Sequence, residues 1–144
     1  MLKTVEKVLL LQDLEEFRLA STEHLAKLAV VTRERREAPG TYLFRKGGAS
    51  SELCLLVQGK VSLEFASGEF RTVETCSLDL FSVFSQSGHA VSARTLEPCV
   101  LLVVDYDDLV DLLESEAEFS SAMARYLARK ARELTIALQS EVRA

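Results

Sequence analysis

Few side chains in this sequence are of a kind that does chemistry, and their spacing limits what that chemistry can be. The two histidines, His24 and His89, stand far apart, and neither belongs to an HExxH pair. No GxSxG elbow is present. Gly47-Gly48 lacks the Gly-Lys-Ser/Thr sequence that completes a phosphate-binding P-loop. The carboxylates are numerous but all fit helix surfaces and caps. The pattern points to a chain that is not an enzyme. The three cysteines, Cys54, Cys76 and Cys99, are odd in number, form no CxxC and sit in apolar or strand-like surroundings. They read as buried, reduced thiols of a cytoplasmic protein. The sharper alternative, a redox or metal sensor, needs clustered ligands that the spacing does not supply. Arg33-Glu34-Arg35-Arg36-Glu37 nearly alternates in charge, which suits an exposed first strand better than an anion patch.

The elements that must position these residues follow from composition and period. The chain has 144 residues, 48% apolar and 27% charged, the balance of one folded domain rather than a disordered one. Its net charge of −5 argues against direct binding to nucleic acid. No apolar run approaches the roughly 20 residues needed to cross a bilayer, so no membrane insertion is expected. Acids interrupt the apolar part of the N-terminus, which argues against a secretory signal.

Leu2, Val5, Val8 and Leu9 fall near one helical face. Asp13 to Phe17 reads as a short helical turn or connector. Ser21 can cap a second helix that buries Leu25, Leu28 and Ala29. The stretch from Ala38 to Phe65 then reads as three short strands pinned by turns. Pro39-Gly40 opens it, and Thr41 to Arg45 is rich in β-formers. The turn cluster Lys46 to Ser51 leads into the apolar run Leu53 to Val57. Gln58-Gly59-Lys60 turns the chain into Val61 to Phe65, which alternates with period two. A hairpin turn at Ala66 to Glu69 leads into a strand over Phe70 to Cys76. Ala90 to Leu96 and Cys99 to Val104 are further strands, the second apolar throughout. Asp105 or Asp107 can cap a short helix carrying Leu109, Val110, Leu112 and Leu113. The absence of Gly and Pro, with apolar residues at three- and four-residue steps, predicts a long helix over Phe119 to Val142. Met123, Leu127, Lys130, Leu134 and Leu138 approximate a seam along it, the mark of a candidate dimerisation helix.

Pro-Gly, five strand residues, a basic residue, Gly, a polar gap, an apolar strand and then x-Gly-Lys-Val resembles the front half of a cyclic-nucleotide-binding domain. That is the β-roll of the catabolite-activator and protein-kinase-regulatory-subunit superfamily. The resemblance extends from about Val5 to about Ala137. It implies a mainly β fold with flanking helices: an antiparallel β-roll (a double-stranded β-helix or jelly roll) with N-terminal helices and a long C-terminal helix. The expected organisation is one domain over 1–144, with helices in 2–31, the roll in 33–104 and C-terminal helices in 107–142. In the family the C-terminal helix often pairs, which implies a homodimer.

The family holds its ligand in a short helix and loop between two roll strands, with the pattern Phe-Gly-Glu, an apolar pair, a polar turn and then Arg. Backbone N–H groups cradle the cyclic phosphate, the Arg pairs with its charge, and the Glu accepts from the ribose 2′-hydroxyl. Alignment back from Leu96-Glu97-Pro98 places this cassette at Leu78 to Ser92, LDLFSVFSQSGHAVS. Asp79 then takes the Gly position, Leu80 the Glu position and His89 the Arg position. Ser82, Val83 and Phe84 fall on the helix, and Ser87-Gly88 on the turn. The candidate pocket residues are Leu78, Asp79, Leu80, Phe81, Ser82, Val83, Ser87, Gly88, His89, Ala90, Val91 and Arg94. Loss of a charge-assisted phosphate contact of roughly 1.5–3 kcal/mol lowers affinity ~10- to 100-fold, and Asp79 adds a like charge. No register slip restores the pattern, because no Glu lies between Glu74 and Glu97. Arg94 is the nearest Arg, and shares the face of His89 only if the strand alternates unbroken. His89 reads as a pocket-lining or surface imidazole, or as a weak anion contact at low pH. Phe81 and Phe84 read as core rather than as a base-stacking platform.

The expectation is a non-catalytic regulatory or interaction module that has lost cAMP and cGMP binding, with no cofactor and with a second copy, a protein partner or a fused effector as its target. The alternative is a sensor that binds a cyclic nucleotide, or a less charged ligand favoured by Leu78, Leu80 and Val83, and regulates an effector such as a transcription regulator. Catabolite-activator-type regulators carry a helix-turn-helix after the long helix, and the sequence ends at Ala144 without one.

Overall fold

Two apolar runs set the architecture. Strands β3 (Glu52–Gln58) and β8 (Cys99–Asp105) pair antiparallel, with Leu53 opposite Val104 and Leu55 opposite Leu102. Successive residues of a strand point to opposite faces. Leu53, Leu55, Val57, Val100, Leu102 and Val104 enter a core shared with the helices. Cys54, Leu56, Cys99, Leu101 and Val103 enter a second core inside the roll. Both faces are covered, which is why these two strands are apolar at nearly every position.

The computed structural model describes residues 1–143. Helix α1 (Thr4–Gln12), a 3₁₀ turn (Glu15–Phe17) and helix α2 (Thr22–Val31) precede the roll. One sheet has the order β1-β8-β3-β6, with β1 at Arg33–Glu37 and β6 at Cys76–Leu78. The other has the order β2-β7-β4-β5, with β2 at Tyr42–Phe44, β4 at Val61–Glu64, β5 at Phe70–Val73 and β7 at Ser92–Thr95. All pairings are antiparallel. A short helix α3 (Leu80–Ser85) connects β6 towards β7. Helices α4 (Tyr106–Ser115) and α5 (Ala117–Arg143) follow β8. This is the expected mainly β roll with flanking helices.

Three local readings are corrected. The strand expected over Phe70 to Cys76 is two strands in different sheets. Thr75 breaks it, with φ at 45°, and carries the chain from one sheet to the other. Asp105 stands at the cap position of α4 but makes no capping bond, because its carboxylate accepts from Arg33 at 2.8 Å. The long helix begins at Ala117 rather than Phe119. Ser21 caps α2 as expected, accepting the His24 N–H at 3.2 Å. The exposed edge β1 matches the charge pattern, since Arg33 also pairs with Glu52 and Arg36 with Glu34.

Candidate ligand-binding site

The segment between β6 and β7 is organised by Asp79. Asp79 precedes α3 with φ 55° and ψ 45°, the left-handed region that residues other than glycine seldom occupy. From this position its carboxylate gathers three donors. Oδ2 accepts the Ala90 N–H at 2.9 Å and the His89 Nδ1–H at 3.0 Å. Oδ1 accepts the Ser82 hydroxyl at 2.9 Å. A carboxylate only accepts, so Nδ1 is the protonated nitrogen of the His89 ring.

His89 is 4% exposed. Its ring stacks on Phe44, with centroids 3.7 Å apart and planes 12° from parallel. Its backbone is fastened to the turn after β2: Gly47 N–H donates to His89 C=O at 2.8 Å, and His89 N–H donates to Gly48 C=O at 2.9 Å. Gly88 sits so close to that turn that a Cβ would lie 3.1 Å from the Gly47 oxygen. The Ser50 hydroxyl donates to the Ser82 and Ser87 carbonyls, and the Gln86 amide donates to Ser50 O at 3.0 Å. The loop is thus tied to neighbouring backbone on several sides.

The twelve candidate pocket residues do not form one group. Asp79, Ser82, His89 and Ala90 converge. Leu78 belongs to the core inside the roll, whereas Leu80 and Val83 belong to the core on the helix side. They are packing residues in two different cores, so they do not line a shared apolar pocket. Phe81 is 49% exposed, contrary to its reading as core. The i, i+3 pair Leu80 and Val83 supplies the buried face of α3, and Phe81 falls off it. Phe84 does pack against the helix-side core. Ser87 and Gly88 are the exposed turn, and Val91 is buried. Arg94 neighbours the buried Ala93 in sequence and so faces the opposite side of its strand. There it pairs in register with Tyr42 and Ser62, 5.8 Å from the Tyr42 ring, away from Asp79 and His89. At 4% exposed, His89 is not a surface imidazole, and its Nδ1 is engaged by Asp79. The signals that could have revealed this were Ser three residues after Asp79, a capping spacing, and the aromatic Phe44. The contact itself is nonlocal.

His24, the other histidine, braces the helices. Nδ1 lies 2.8 Å from Ser21 Oγ, and Nε2 lies 3.4 Å from Glu116 Oε2. Lys27 also holds Glu116, and its hydrogen bond keeps that carboxyl below its ordinary value of 4.5. The Ser21 hydroxyl serves as the cap of α2, so this row of side chains ties α2 to the corner between α4 and α5. Burial pushes the Cys54 thiol up to about 12 and the Cys76 thiol up to about 11. Among the described residues no group of three or more His, Cys, Asp or Glu side chains is placed to hold a metal ion.

On the long helix, Met123 and Leu127 pack into the chain's own core, which removes Met123 from the expected seam. Lys130 is engaged with Glu15 at 2.9 Å and Glu133 at 3.2 Å. Leu134 and Leu138 are 59% and 61% exposed, and residues 131–141 are exposed throughout.

The family model of the cyclic nucleotide-binding domain matches residues 34–116, more than half of the chain and all of the roll but its first residue. The chain belongs to the cyclic nucleotide-binding domain family. Solved structures share the fold of this cyclic nucleotide-binding domain. The N-terminal domain of a transcriptional regulator from Streptomyces coelicolor A3(2) superposes with a TM-score of 0.73 at 24% identity, covering 87% of this chain and 94% of that one. The catabolite activator protein of Thermus thermophilus gives 0.74 at 22% identity, covering 88% of this chain. The domain spans only 62% of that protein's length. The sensor domain of the transcriptional regulator DNR from Pseudomonas aeruginosa gives 0.69 at 17% identity, covering 85% of this chain and 91% of that one. No curated protein sequence matches.

Proposed function

We propose that this domain is a non-catalytic regulatory or interaction module that no longer binds cAMP or cGMP. The observation that carries the reading is the Asp79–His89 contact at 3.0 Å. The residue at the family's cation position is spent on an internal carboxylate, and that carboxylate brings a charge of the same sign as a cyclic phosphate. Leu80, at the family's Glu position, is 5% exposed in an apolar core and offers a ribose hydroxyl no acceptor. In this reading residues 1–144 act as one cytoplasmic unit whose output is contact with a partner. The exposed Leu134 and Leu138 support a second copy meeting α5, or an effector seated there. The net charge of −5 argues against direct nucleic-acid contact, and no described helix is long and apolar enough to cross a membrane.

The regulator domains among the structural neighbours favour a second reading, a sensor of a small ligand that controls a transcription effector. Titration of the purified chain with cAMP and cGMP to millimolar concentration separates the two. Absence of binding is expected. A micromolar Kd would return the domain to the sensor class.

A further inference from the structure

Strand β5 leaves one edge of the roll open. It ends the order β2-β7-β4-β5, with no described strand beyond it. Natural edges are guarded by charge, proline, bulges or shortness. β1 is charged at every position, and β2 and β6 have three residues each. β5 has a single charge and neither Pro nor bulge, and Phe70 at its start is 67% exposed. Its backbone is set for a neighbour. Phe65 N–H donates to Glu69 C=O at 2.9 Å, and β4 and β5 run in unbroken register from there, with Leu63 opposite Arg71. Backbone groups alternate in direction along a strand. Arg71 and Val73 therefore turn theirs to β4, and Phe70 and Thr72 turn theirs outward.

The side chains of this edge complement themselves. Glu69 and Arg71 are exposed and make no ion pair among the described residues. When β5 of a second copy is laid antiparallel about a two-fold axis at Phe70, Glu69 of each copy lies opposite Arg71 of the other. Phe70 meets Phe70, and their outward groups meet each other. Opposite charges and aromatic pairs facing across strands both favour pairing. The neighbouring registers that join outward groups set Arg71 against Arg71 or Glu69 against Glu69. We propose that the β5 edge is a self-association surface, on which β5 of a second copy pairs in this register and joins two four-stranded sheets into one of eight. Two edges of this length bury less than the roughly 1,200 Å² of a stable interface, so the contact forms at high concentration. β5 and the exposed half of α5 are separate surfaces, so this contact and the pairing proposed through α5 can fail independently.

The test is amide hydrogen exchange of the unaltered protein, read by NMR at low and at near-millimolar concentration. The Phe70 and Thr72 N–H groups should exchange freely in the dilute protein and at least ~10-fold more slowly in the concentrated one. The Arg71 N–H, held by β4, should be slow in both. R71E sets Glu69 against another acid and should abolish the concentration-dependent slowing. The swap E69R/R71E restores opposite charges and should bring it back. Association through α5 leaves the β5 amides uncovered, so it cannot mimic this result. Free exchange at Phe70 and Thr72 in the concentrated protein would overturn the proposal and leave the edge to a strand of another protein. Slowing that is independent of concentration, or that survives in R71E, would overturn it equally.

Discussion

Burial sets the chemistry of the three cysteines. Cys54 and Cys99 are 2% exposed, and Cys54 lies in the roll core, where Arg35 and Arg33 only partly offset the loss of water around its thiolate. Its thiol is pushed up to about 12 and that of Cys76 to about 11, both chiefly by desolvation. A free thiol titrates near 8.5, so at pH 8 the thiolate fraction of Cys54 is lower by roughly two-thousandfold and that of Cys76 by roughly two-hundredfold. Alkylation by iodoacetamide in the folded protein should be slow by at least these factors, rise with pH up to about 11, and become fast on denaturation. Rapid labelling at pH 8 would favour a redox sensor. The apolar neighbours of these cysteines were legible in the sequence, and Asp79 and His89 were both singled out there. Their mutual contact was not. Ten positions separate the two residues, and the left-handed turn at Asp79 that brings the carboxylate round has no local signature in a non-glycine residue.

Elements were legible where one period ran through a whole segment. Strands β3 and β8 announced themselves as continuous apolar runs, and β4 as an alternation. The break at Thr75 was hidden because the alternation of Phe70 to Cys76 continues across it, although the two halves serve different sheets. Helix α3 was expected only through the family resemblance, because six residues carry less than two turns of pattern. The turn joining β3 to β4 shows how tightly the roll is closed. Gly59 has φ 101°, and a Cβ there would lie 2.6 Å from Cys99 Sγ and 2.7 Å from the Pro98 carbonyl oxygen. Backbone cannot yield as a side-chain tip can. Gly59→Ala should therefore cost about 2 kcal/mol or more from strain and overlap together, read as a fall in the urea midpoint at unchanged slope. By contrast, alanine at Gly68, which has open space around it, should cost only the backbone term. Equal effects at the two sites would refute the close approach at Gly59.

The whole molecule divides into a buried roll and a helix that outruns it. Helix α5 is 27 residues long. Phe119, Ala122, Met123 and Tyr126 anchor its first half, and every residue from 131 to 141 is exposed. Leu134, Ile136 and Leu138 on that exposed half are what a self-associating helix would present. The double substitution L134E/L138E should leave the melting temperature of the roll within a few degrees, since neither side chain packs on it. It should shift a dimer to monomer in sedimentation velocity. A monomeric unaltered protein would assign α5 to another partner. The architecture at this scale was read correctly from the sequence, because turn residues and alternation specify a roll whether or not its cassette works. The cassette decides what the roll is for, and isothermal titration of the unaltered protein with cAMP and cGMP to 1 mM tests it most directly. A micromolar site would be saturated, release or absorb measurable heat, and add ~4 kcal/mol to the unfolding free energy. The expected result is no heat beyond dilution and no change in melting temperature. Saturable binding at micromolar Kd would contradict the account, because it would require the nucleotide phosphate to displace Asp79 from His89 and Ala90.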